Sequence, residues 1–266
     1  MTSLAQPRTT MGRVFEHRFL TYRKTFRASI FSSFFMPILF LTAMGIGLGS
    51  YVDAGPAGNV GGVPYIAFLA PGLLASTAMQ AAAFESTFPI IAGLQWSRVF
   101  HAMYATPISG RDVALGNLLW VAARLLLITT VFTIVIVLFG AAESPLVIFA
   151  IPAAILTGMA FAAPIAAFSA TQRTVEKFNA IFRFGITPLF LFSGTFFPVE
   201  QLPQPLQVLA WLTPLYHGVQ LCRGLSLGTI GDAPLLAVVN VLFLLAFIVV
   251  GTIFTVRTVS ERLVRG

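Results

Sequence analysis

Charge is scarce in this sequence. Only 9% of its 266 residues are charged and 57% are hydrophobic; mean hydropathy is +0.89. Such a chain cannot cover a water-facing surface, which excludes a soluble globular domain and marks an integral membrane protein. Cysteine is nearly missing: Cys222 stands alone, so neither an intramolecular disulfide nor a cysteine metal cluster can form. The three histidines, His17, His101 and His217, are scattered and make no HExxH-type ligand spacing. Lysine occurs only as Lys24 and Lys177, and neither follows the glycines of a G-x-x-x-x-G-K-[ST] phosphate cradle. The chain cannot hold ATP by that device, so any ATP-driven work needs a separate ATPase chain. The alternating polarity of a membrane β-barrel strand is absent, because the apolar runs are continuous and long. A signal-peptide pattern is absent as well: the first apolar run follows a long charged lead and ends in Gly-rich sequence without an A-x-A site.

What is present is a series of apolar runs. At about 20 residues per helical span the length has room for about six. They are expected at about 30–50, 65–88, 118–140, 146–170, 181–195 and 235–256. A cytoplasmic lead over 1–29 carries Phe15, Phe19, Tyr22 and Phe26 at helical spacing among arginines, the pattern of an amphipathic helix on a membrane surface. A polar segment over 93–117 separates spans two and three, and a basic tail occupies 257–266. No internal repeat and no soluble domain is visible.

The isoelectric point near 10.3 does not indicate nucleic acid, because the basic residues flank apolar runs instead of forming a stripe. The lead, the loops after spans two and four, and the tail hold nearly all of them. The alternate loops hold only Arg223, together with Asp53, Glu143, Glu200 and Asp232. By the positive-inside rule both termini are cytoplasmic. The same asymmetry puts the stretch "LFSGTFFPVEQLPQPLQVLAWLTPLYHG" on the outer face. Its Pro198, Pro203, Pro205 and Pro214 each delete a backbone donor, and broken backbone in hydrocarbon is tolerated only where it is buried or lines water. Leu202, Leu206, Leu209 and Leu212 can form an apolar face there. An amphipathic surface loop with no gating role is the alternative.

Three stretches carry a resemblance. "FLFSGTFFPVEQLPQPLQVLAWLTPLYHGVQLCRGLSLG" (190–228) looks like the region before the last span of ABC-2-type transporter permeases. "FLAPGLLASTAMQAAAFESTF" (68–88) and "ATPISGRDVALGNLLWVAAR" (105–124) are similar to the NodJ-like, lipo-oligosaccharide-exporter branch, and daunorubicin-exporter permeases share much of the pattern. The resemblance implies an all-α membrane fold of six transmembrane helices. An N-terminal amphipathic surface helix precedes them, and a re-entrant helix pair lies over about 196–222. It implies an exit plug that includes Pro198, Leu202, Pro203, Pro205, Leu209, Trp211, Pro214 and Tyr216. It further implies an ATPase-coupling loop in which Trp96, Arg98, Phe100, His101, Tyr104, Arg111 and Asp112 suit a mixed aromatic and basic contact. An ordinary interfacial loop held by aromatic-belt and headgroup contacts is the alternative.

In this family spans one and five line the central interface, which makes Phe34, Phe35, Phe184, Phe190 and Phe192 candidate path residues. The implied partners are two ABC ATPase subunits, a second permease that is an identical copy or a paralogue, and membrane lipids. ATP and Mg would be bound by the ATPase partner, with no cofactor in this chain. The implied setting is a bacterial cytoplasmic membrane, and the implied cargo is amphipathic: a lipid-linked saccharide, a glycolipid or a hydrophobic drug moved outward.

Glu85 and Arg124 are the ionisable residues expected within membrane depth, near cytoplasmic span ends, where they can pair or be wetted. A proton-coupled carrier would carry an acidic relay nearer the midplane. A serine-hydrolase dyad of Ser193 and His217 is the remaining alternative. Its residue spacing departs from the rhomboid pattern, and Ser193-Gly194 suits close helix approach instead.

Overall fold

The computed structural model describes residues 10–24, 35, 37–55 and 59–265. Among the described residues every regular element is helical. The helices are α1 (Thr10–Tyr22), α2 (Pro37–Asp53), α3 (Tyr65–Glu85), α4 (Val99–Tyr104), α5 (Gly110–Leu138), α6 (Ala150–Thr171), α7 (176–192), α8 (Gln204–Trp211), α9 (Pro214–Leu227) and α10 (Pro234–Arg265). Four segments are long and apolar enough to cross a membrane: Tyr65–Trp96, Gly110–Leu138, Pro145–Thr171 and Pro234–Arg265. The first of them is α3 with its short continuation, and the third is α6 with its opening 3₁₀ turn. The apolar runs expected at about 30–50 and 181–195 correspond to the shorter α2 and α7. Both contain π-helical stretches, Leu41–Leu48 and Phe182–Ile186. Residues 30–34 and 36, including the candidate path residue Phe34, lie outside the described residues.

The core is built from α3 and α6. α3 is buried on nearly all sides, and its sequence explains why: Ala67, Ala70, Gly72, Ala75, Ala78, Ala82 and Ala83 let neighbouring backbones close in. α6 touches α3, α5, α9 and α10. Where it meets α9, a Cβ added to Gly218 would fall onto the Thr157 side chain, so only glycine fits. Two hydroxyls buried in this core are satisfied within their own helices. Thr157 Oγ1 donates to Ala153 O at 2.8 Å and Thr129 Oγ1 to Leu125 O at 2.8 Å.

α10 lies at the periphery. One stripe, Leu244, Gly251, Thr255, Val259 and Leu263, is buried, and Thr255 Oγ1 donates to Ala163 O at 2.6 Å. Leu235, Leu236, Leu242, Val249 and Phe254 point outward. An apolar surface of this extent is unsuited to water and suited to lipid tails.

Several boundaries differ from the hydropathy reading for local reasons. α5 begins eight residues before the apolar run because Ser109 and Asp112 form a reciprocal capping box. The Asp112 backbone N–H donates to Ser109 Oγ at 3.2 Å, and the Ser109 backbone N–H donates to Asp112 Oδ2 at 3.0 Å. α10 does not stop at Val256 but continues through the basic tail to Arg265. The N-terminus of α3 is capped across a loop, with the Tyr65 N–H donating to Asp53 Oδ1 at 3.0 Å.

Candidate functional site

Three features stand out: a packed cluster at the basic end of the bundle, a groove beside it, and a pinned turn at the opposite end.

At the basic end a second hydrophobic cluster joins α1 (Val14), the chain between α3 and α5 (Ile90, Leu94, Phe100, Ile108), α5 (Val113, Leu118), α6 (Ala166, Ala170) and the far end of α10 (Val259, Leu263). Close contacts lock it. A Cβ on Gly110 would lie 2.8 Å from Ser260 Cα, and one on Gly93 would lie 2.6 Å from the Phe100 ring. α1 is held from above: Phe15 and Tyr22 pack edge-on to Trp120, and Arg18 Nη2 donates to Pro89 O at 3.3 Å. Burial lowers the Arg18 pKa, while the Glu85 carboxylate works the other way. Burial and then the adjacent Arg18 lower that of His17.

The predicted coupling residues divide by environment. Trp96, Arg98, Tyr104 and Arg111 are exposed, and His101 is half-buried. The Phe100 ring is buried in the cluster, and Asp112 serves as the α5 cap. Arg98 is the only non-glycine with positive φ among the described residues, at +50°, a conformation that costs an L-residue with a Cβ about 1–2 kcal/mol.

Between α2, α3, α5 and α7 runs a groove of about 690 Å³. Pro37, Phe40, Leu73, Phe132 and Phe190 make it greasy; Thr77, Gln80 and Thr187 add polar atoms; Glu85 and Arg124 line it as an ion pair. Arg124 Nε donates to Glu85 Oε1 at 3.2 Å, and the guanidinium lies 4.2 Å from the Tyr22 ring centroid. Both side chains are largely buried, at 12% and 18% exposure. Glu85→Gln is therefore expected to cost about 1–2 kcal/mol. Thermal unfolding in detergent measures this, with Glu85→Gln/Arg124→Gln less destabilised than the sum of the single variants. Of the candidate path residues, Phe190 lines the groove and stacks edge-on to Phe40 and Phe196. Phe35, Phe184 and Phe192 are exposed on the bundle surface.

At the opposite end the turn after α7 is nailed to α3. Ser76 and Thr195 share a hydroxyl hydrogen bond at 2.7 Å, and Tyr65 Oη donates to Phe196 O at 3.2 Å. Gly72 leaves room for it: a Cβ there would lie 2.9 Å from Thr195 O. Gly194 turns the chain at φ +84°. Arg223 of α9 completes the clamp. Its guanidinium lies 3.7 Å from the Phe68 ring centroid, with Nε donating to Phe68 O at 3.2 Å and Nη2 to Gly194 O at 2.7 Å.

Beyond this turn stand α8 and α9, which at 8 and 14 residues are both too short to cross a bilayer. Pro205 and Pro214 sit in their first turns and Pro203 at the α8 cap, where a missing N–H is harmless. Pro198 precedes the 3₁₀ turn Val199–Gln201. Leu202 is half-buried beside it. Leu209, Trp211 and Leu212 are exposed, and Tyr216 is half-buried. Ser193 Oγ lies 3.4 Å from Thr213 Oγ1, whereas the His217 ring nitrogens bond Asn240 Oδ1 and Trp211 O. No hydroxyl–imidazole dyad is assembled between them. Among the described residues no group of histidine, cysteine and carboxylate side chains is arranged to hold a metal. Arg223, Gly72, Thr195 and Gln80 escaped sequence reasoning. Only Arg223, a lone cation amid acidic loop residues, gave any signal.

The family model described as ABC-2 type transporter matches residues 11–227. The chain is similar to nodulation protein J of Sinorhizobium fredii, 36% identical over 210 residues, covering 79% of this chain and 78% of that protein. Nodulation protein J of Rhizobium leguminosarum bv. viciae is 34% identical over 215 residues, 81% of each chain. The Azorhizobium caulinodans protein of the same name is 26% identical over 210 residues, 79% of this chain and 81% of that one.

Proposed function

Because this chain belongs to the ABC-2 type transporter family, we propose that it is half of the membrane conduit of an ATP-driven exporter. The conduit has six spans per chain, with α2 and α7 in the first and fifth, and both termini in the cytoplasm. A second permease, identical or paralogous, supplies the other half, and two ATPase subunits bind the nucleotide and Mg. The cargo is amphipathic, in keeping with a groove that is greasy along most of its wall and charged at Glu85 and Arg124. α8 and α9 dip from the outer face as a re-entrant pair and close the exit.

The observation that carries this reading is the cluster at the basic end. The chain between α3 and α5 is no loose tether, because Phe100, Leu94 and Ile108 are buried against α1, α5, α6 and α10 at once. A force applied to that loop moves those helices together, since close-packed interiors transmit strain. Nucleotide-driven closure of the ATPase pair would in this way reach the groove and the exit.

The test is reconstitution. Tagged chain purified from its own membranes should bring an ATPase with it, and vesicles holding the complex should move amphipathic cargo with ATP in the presence of an uncoupler. An Asp232→Cys variant should react with an impermeant maleimide from outside intact cells, Cys222 being buried. Cargo movement by the chain without any ATPase, or labelling only after permeabilisation, overturns the reading.

A further inference from the structure

Beside the coupling loop lies a cleft of about 580 Å³ lined by Arg98, His101, Arg173, Glu261, Arg262 and Arg265 among others. Its charge is lopsided. Glu261 is the one acid in its lining, and it is engaged by Arg265 at 3.6 Å. Among the described residues no carboxylate is ion-paired with Arg98, Arg173 or Arg262. His101 Nδ1 is buried without a hydrogen-bond partner there. The walls come from three distant parts of the chain, and they are held together: Gln95 Nε2 donates to Gln172 O at 3.0 Å, and Val259 and Leu263 are anchored in the cluster that contains Phe100. Arg98 keeps its left-handed backbone at the edge of this cleft, and such local strain is stored preferentially at working sites.

We infer that the C-terminal end of α10, 258–265, is a docking element for the ATPase, and that the cleft receives an acidic segment of that subunit. This rests on the exporter reading and adds the chemistry of the contact. Guanidinium groups without an acidic partner recognise carboxylates bidentately. An acidic protein segment fits better than a lipid headgroup because of reach. The apolar part of α10, 235–256, already measures about 33 Å, enough for the hydrocarbon layer, and 257–265 adds about 13 Å. That clears a headgroup layer of about 6 Å and sets Arg262 and Arg265 in water.

The experiment uses the complex purified through a tag on this chain. Arg262→Glu/Arg265→Glu and Arg98→Glu should each reduce co-purified ATPase and its nucleotide hydrolysis at least tenfold. Arg257→Glu, whose side chain does not line the cleft, should leave both unchanged. A second variant, Arg262→Cys carrying a photoreactive maleimide, should crosslink to an Asp/Glu-rich peptide of the ATPase identified by mass spectrometry. Full retention of the ATPase by the charge-reversed variant overturns the inference while leaving the exporter reading standing. So does a crosslink to phospholipid or to a non-acidic ATPase segment. If the wild-type chain brings no ATPase, the exporter reading falls and takes the inference with it.

Discussion

Arg223→Ala should lower the stability of this protein by about 3 kcal/mol and loosen the turn after α7. The guanidinium does three things at once: it covers the Phe68 ring, and it donates to the carbonyls of Phe68 and Gly194. Truncation removes a desolvated cation–π contact worth about 2 kcal/mol and two charge-assisted hydrogen bonds. Arg223→Lys should recover only part of the loss, because an ammonium cannot fork between two carbonyls while lying flat on a ring. Thermal unfolding in nanodiscs measures the stability. Leak of a small hydrophilic dye from vesicles holding the complex measures the turn: the clamp ties α9 to α3, so its release should raise passive leak. A truncated variant with wild-type melting and a tight vesicle would show that the clamp is incidental.

Gly218→Leu is the second large effect. Thr157 is held by its own hydrogen bond to Ala153 O, and a Cβ at 218 already overlaps its side chain. A leucine must therefore push α9 away from α6, at about 3 kcal/mol or more. Little monodisperse protein is expected after detergent extraction. Gly218→Ala should be milder, and Gly218→Ala/Thr157→Ala milder still. A coupling of about 1–2 kcal/mol between the two sites is expected in a double-mutant cycle read by thermal unfolding. Additive behaviour would contradict the close contact.

Much of the architecture was legible in the residues. The long apolar runs correspond to α3, α5, α6 and α10, and the clustered prolines mark the place where two short helices replace one long one. The capping box of Ser109 and Asp112 shows how a polar signal escapes a hydropathy reading: it starts α5 well before its apolar run. The charged tail hid a helix for a related reason. Arg257, Glu261, Arg262 and Arg265 occupy one side of the last turns, and Val259 and Leu263 pack from the other.

The residues in order determined the class, the family and the distribution of basic groups, because hydropathy and charge sum along a chain without reference to contacts. Tertiary structure decided what those groups do. Arg223 is a clamp only because Phe68 and Gly194, 155 and 29 residues away, present carbonyls to it. Arg98, Arg173 and Arg262 form one cleft only because the start of α4 lies beside the ends of α6 and α10. Hydrogen bonds and packed surfaces act over a few ångströms, and separation along the chain does not encode which groups come that close.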